Sequence, residues 1–138
     1  MRLDVIFRVT AKIIIPFALV FALYVQFHGD FGPGGGFQAG VVAAAMVIFY
    51  AIIFGLEAAQ KVFPPRLVEL MIPAGIAIYA GVGVISMLLG ENYLNYSPLA
   101  ADPALGQEYG IILVEIGVLV TVSGTMVAIF YSFVGRGR

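Results

Sequence analysis

A chain of 138 residues that is 62% hydrophobic and only 11% charged is not a soluble domain, since those run at about 45–50% apolar and about 25% charged. The absence of cysteine rules out disulfides, thiolate metal sites and cysteine-ligated iron–sulfur clusters. A formal charge of −1 gives no reason to expect nucleic acid.

Four apolar runs follow one another at residues 9–27, 37–56, 67–90 and 110–134. Each approaches the roughly 20 apolar residues that cross a bilayer. None shows the alternation over about 10 residues that marks a barrel strand. The expectation is an all-α integral membrane protein, residues 1–138 forming one bundle of four transmembrane helices. The first run has basic residues ahead of it but no A-x-A-like cleavage site, so it reads as a helix of the mature protein rather than a leader.

Three connections separate the runs: a glycine hinge, a basic connector at 57–66, and a longer segment at 91–109. Arg2, Arg8, Lys12, Lys61, Arg66, Arg136 and Arg138 all fall at the N-terminus, in the basic connector or at the C-terminus. Four spans place those three regions on one side, which the positive-inside rule makes cytoplasmic. Both termini are therefore expected inside, with the hinge and the third connection outside. Arg8 and Lys12 extend along the first helix toward the headgroups. Pro16 and Pro73 sit near helix starts, where a missing amide donor matters least. Small residues mark contact faces: Gly40, Ala44, Ala51 and Gly55 on the second run, and Gly110, Gly117, Thr121 and Gly124 on the fourth.

Glu115 lies well inside a run, about five residues from the outer end of the fourth, or ~7–8 Å at 1.5 Å rise, whereas Glu69 sits only in the first turn of the third. A carboxylate at that depth usually faces a bundle interior, a partner or a wet cavity. Ile111, Leu119, Val122 and Met126 share its face, and the Gly117, Thr121, Gly124 stripe points elsewhere. A bundle using that stripe as its main contact would turn Glu115 toward lipid, so either the chain's own hinge or another subunit covers the carboxylate. Three roles compete: a side chain bent up to water, a proton or cation path, and a structural polar contact. His28, the only histidine, ends the first helix at a similar depth if the helices run antiparallel. Its imidazole either relays protons near neutral pH or holds a backbone carbonyl at the helix end. Asp30 completes the ion-pathway candidates.

The hinge itself rests on Gly29, Pro33, Gly34, Gly35, Gly36, Gln38 and Gly40. The run Gly32-Pro33-Gly34-Gly35-Gly36 lacks the Lys-Ser/Thr continuation of a phosphate-binding loop. Consecutive glycines permit positive φ and bring bare backbone close to a neighbour. Their amides, at the start of the second helix, make either a nest for a carboxylate or simply a tight turn. Neither a metal nor a cofactor is expected.

The stretch Phe27-His28-Gly29-Asp30-Phe31-Gly32-Pro33-Gly34-Gly35-Gly36-Phe37-Gln38-Ala39-Gly40 closely resembles the signature of the MnhB/MrpB family, a subunit of multi-subunit Mrp-type sodium/proton antiporters. Leu113-Val114-Glu115-Ile116-Gly117-Val118-Leu119-Val120-Thr121-Val122-Ser123-Gly124 is similar to that family's last-helix pattern. The family often reads His-Gly-His before the glycines and Gln-Gly-Gly after them. Here Asp30 stands for the second histidine and Ala39 for a glycine, so no role of a histidine pair carries over. The resemblance implies a prokaryotic cytoplasmic (inner) membrane, with Na+ and H+ as transported ions. It also implies partner subunits that resemble the ion-pumping arm of respiratory complex I, and no enzymatic activity of this chain alone. It covers equally the equivalent subunit of a redox-driven complex of the membrane-bound hydrogenase type. A stand-alone small multidrug exporter is similar in size, but carries its essential glutamate in a first helix that here has no acid in its apolar core.

Overall fold

The structure, a computed structural model, describes residues 3–29 and 32–135. Among these there is no strand. Four long helices, α1 (Leu3–Phe27), α2 (Gly36–Phe54), α4 (Pro65–Leu88) and α5 (Pro103–Gly135), are each long and apolar enough to cross a membrane. A short helix α3 (Leu56–Val62) lies between α2 and α4, and one 3-10 turn at Ser97–Leu99 precedes α5.

α1 and α5 start ahead of their apolar runs because charged turns are helical without being buried. α1 starts at Leu3, with Asp4 in its first turn at the positive end of the helix dipole. α5 starts at Pro103, well ahead of residue 110: the Asp102 carboxylate accepts a hydrogen bond from the Ala104 N–H at 3.1 Å, and proline opens the helix. Its 33 residues span roughly 50 Å at 1.5 Å per residue, against a hydrocarbon layer of about 30 Å. The basic connector is not a loop throughout. Gly55, at φ 95°, breaks the chain after α2, and α3 then turns Ala59 inward with Glu57 and Lys61 exposed. Phe63 and Pro64 separate α3 from α4, which opens on Pro65.

The long helices pack in the order α1, α2, α5, α4, as a row. α1 lies on α2 and touches α5 only slightly. No expulsion of water forces helices to close up in lipid; close backbone approach decides the neighbours. α5 offers two such faces. Toward α4, a Cβ at Gly117 would lie 2.7 Å from the Gly75 carbonyl, and one at Gly124 would lie 2.9 Å from Met71 Cβ. Thr121 Oγ1 donates to the Ile72 carbonyl there at 3.2 Å. Toward α2, a Cβ at Gly40 would lie 2.9 Å from Val122 Cβ, and Ser123 Oγ donates to the Gly40 carbonyl at 3.2 Å.

Two residues of the expected stripes serve otherwise. Gly55 is the break between α2 and α3, and Gly110 lies beneath the Tyr96 ring instead of facing a long helix. The apolar core is small: Ala44, Val68, Val127 and Tyr131, with the Tyr131 hydroxyl donating to the Phe63 carbonyl at 3.0 Å.

Candidate functional site

The hinge folds back onto the end of α1. The Val25 carbonyl accepts the N–H of His28 at 3.4 Å and that of Gly35 at 3.0 Å, and Gly32 N–H reaches the His28 carbonyl at 3.2 Å. Each glycine of the following run is required for its own reason. A Cβ at Gly34 would sit 2.7 Å from the Val25 carbonyl. Gly35 caps α2 at φ 113°, which only glycine adopts readily. A Cβ at Gly36 would collide with the Glu115 carbonyl of α5.

This close seating of α2 covers the face of α5 that carries Glu115. Its Oε1 lies 3.0 Å from the Cβ position of Gly29 and 2.9 Å from that of Gly35. The carboxylate therefore stands at the N-terminal end of α2, where first-turn amides point outward and the helix dipole favours negative charge. Gln38 Oε1 is 3.7 Å from the same Gly35 position. Of the two covers expected for Glu115, the observed one is the chain's own hinge. The lipid-facing arrangement does not arise because α5 uses its small stripe for α4 and its Glu115–Val122 face for α2.

His28 is half-buried, its ring stacked on Tyr24 with centroids 5.0 Å apart and planes at 22°. Its Nε2 is 3.3 Å from the Cβ position of Gly32. His28 and Glu115 thus border one hinge, through Gly32 and Gly29 respectively. Asp30 lies outside the described residues. No group of three or more histidine, aspartate or glutamate side chains gathers among the described residues. A single carboxylate in this setting can exchange a proton or engage one small cation.

Gln26, just before the hinge, was not singled out in the sequence. It is 3% exposed, and among the described residues neither its Nε2 nor its Oε1 has a hydrogen-bond partner. Ala11, Ala22 and Gln26 are the buried residues of α1 among those described, and Gln26 lies one turn before Gly29. Its sequence signal was the four-residue step from Ala22, masked by its place at the end of an apolar run.

A polar cluster pins the third connection. Gln107 Nε2 donates to Asn95 Oδ1 and Ser97 Oγ, each at 2.9 Å, and Asn95 Nδ2 donates to Glu91 Oε2 at 2.8 Å. Tyr93 lies on Gly83 as Tyr96 lies on Gly110. Burial pushes the Tyr96 phenol above its ordinary value, with Tyr79 and Tyr93 nearby adding to the effect.

These features define a multi-pass helical membrane protein in which the Glu115 carboxylate of one span lies against a glycine hinge. Residues 6–128, from α1 through the hinge to the second half of α5, match the family model described as a domain related to the MnhB subunit of Na+/H+ antiporter. A protein of Staphylococcus haemolyticus (strain JCSC1435), named as antiporter subunit mnhB2, is 32% identical over 135 residues, covering 96% of this chain and 95% of that protein. A protein of the same name from Staphylococcus aureus (strain Newman) matches with the same identity and coverage. The chain belongs to the MnhB family.

Proposed function

We propose that this chain is a small membrane subunit of a multi-subunit Na+/H+ antiporter, in which Glu115 and the hinge beside His28 line part of the ion route. Membership of the MnhB family and the names of its relatives support the antiporter reading over the redox-driven complex and the exporter. The observation that carries the role of Glu115 is its Oε1 at the Gly29 and Gly35 positions, an acid within a span held against mobile-capable backbone. Protonation removes the charge that the α2 N-terminus attracts, so proton uptake and a change at the hinge are coupled at one atom. The larger partners resemble complex-I-type antiporter subunits, and this chain carries no enzymatic step. Residues 1–138 act as a single unit in a prokaryotic cytoplasmic membrane, with both termini inside by the distribution of Lys and Arg.

The test is Glu115→Gln in the whole complex, reconstituted in vesicles after mild-detergent purification. The expected result is a complex that assembles with its normal subunits but exchanges Na+ for H+ at a strongly reduced rate. Intact assembly together with wild-type exchange across the pH range removes Glu115 from the ion route.

A further inference from the structure

Between α1 and α5, on one side of α2 and with α3 at one end, lies a cleft of about 250 Å3. Its wall is almost wholly carbon, from Ile15 and Leu19 of α1, Val47 and Tyr50 of α2, Phe63 after α3 and Val127 of α5. Along α5 it runs from Leu119 to Val127, roughly 12 Å at 1.5 Å per residue. Measured to its wall atoms, its mean section is then about 8 Å across, still below the 10–12 Å diameter of a helix with its side chains. A partner helix does not enter such a slot, whereas a single extended hydrocarbon chain does.

The charges stand at the same end as α3. Arg8, Lys12, Ile15 and Leu19 recur at helical spacing and share one stripe of α1. The first two are exposed, and the last two line the cleft. Arg8 has Asp4, Lys61 has Glu57 and Arg66 has Glu69 at neighbouring helical positions, but no acid lies within a turn of Lys12. A carbon-walled slot thus continues into a cationic stripe one turn away.

We infer that this cleft binds one acyl chain of an anionic glycerophospholipid, whose phosphate is met by Lys12 and Arg8. The two parts of the site match the two parts of that lipid, and each cation near the surface favours an anionic headgroup about fivefold. The lipid also fills a gap in the packing. α1 touches α5 only slightly, and a chain seated between them joins α1 to the rest of the row. This inference does not depend on Glu115 or on antiport.

The experiment labels the chain, in its membrane complex, from vesicles carrying phosphatidylglycerol with a photoactivatable acyl chain. The same acyl chain on phosphatidylcholine serves as the comparison. The expected adducts map to Met46, Tyr50 and Met71 of the cleft, with phosphatidylglycerol strongly preferred. The double variant Arg8→Gln/Lys12→Gln, confined to exposed side chains, is expected to lower phosphatidylglycerol labelling about 30-fold and leave phosphatidylcholine labelling unchanged. Ala43→Leu, which fills the cleft, is expected to remove adducts of both lipids. Equal labelling by the two lipids, indifference to the charge pair, or cleft residues cross-linked to another subunit instead would each overturn the inference.

Discussion

Gly36→Ala isolates the contact that holds the site together. The new Cβ would strike the Glu115 carbonyl oxygen, and would stand 2.9 Å from its carbonyl carbon and 3.0 Å from its Cα. All three are backbone atoms of α5, so no rotamer relieves the overlap and the two helices must part. Overpacking of this kind typically costs 1–3 kcal/mol, and rigid backbone on both sides places Gly36→Ala near the top, at about 2–3 kcal/mol. That is roughly 30–150-fold in the folding equilibrium. Gly81→Ala is the matched control, because a Cβ there meets nothing within 4 Å. In a helix interior that substitution gains up to about 1 kcal/mol. With no tryptophan and seven tyrosines in the chain, unfolding in rising SDS can be followed by tyrosine fluorescence. Gly36→Ala should unfold at lower SDS than wild type and Gly81→Ala no lower. Equal stability of the Gly36→Ala and wild-type proteins would refute the close seating of α2 on α5.

The other expectations follow from single groups. Gln26→Met exchanges a buried amide with no partner among the described residues for an apolar side chain of similar length, and should raise stability in the same titration by about 1–3 kcal/mol; a loss would mean that the amide is partnered in the membrane. Ser123→Ala removes the hydroxyl that donates to Gly40 while the same oxygen also serves Leu119 at 2.7 Å. Its effect should stay near the ~0.6 kcal/mol average for hydrogen bonds between membrane helices, and a loss above about 2 kcal/mol would contradict this sharing. The raised Tyr96 pKa means that the folded protein holds this proton more tightly than the unfolded chain. The stability it contributes is complete below the ordinary value of about 10 and is lost as pH rises through the raised one. Tyrosinate absorbance should lose one late-titrating phenol in Tyr96→Phe. No difference between the two titrations would count against burial of Tyr96.

The spans were legible because continuous apolar runs leave few alternatives in a bilayer, and their ends were not. Asp102 and Pro103 carry a helix start inside a polar segment, which hydropathy passes over and capping chemistry does not. The helical face of Glu115 was legible from spacing. Its cover was not, because that depends on which helix approaches, and two glycines one turn apart, Gly36 and Gly40, admit α2 there. The row order was hidden for the same reason: Gly75 and Gly83 receive α5 and Tyr93, yet in sequence they are ordinary glycines of an apolar run. Gln26 was invisible because only burial makes an amide unusual.

The most direct measurement is the distance between the Glu115 carboxyl carbon and the Gly35 amide nitrogen, by solid-state NMR on selectively 13C- and 15N-labelled protein in lipid. With Cδ 3.6 Å from the Gly35 Cβ position, backbone geometry limits that separation to about 6 Å, and measurable dipolar dephasing is expected at long mixing times. Absence of dephasing, with the carboxyl carbon in contact with acyl-chain protons instead, would contradict a carboxylate held by the chain's own hinge.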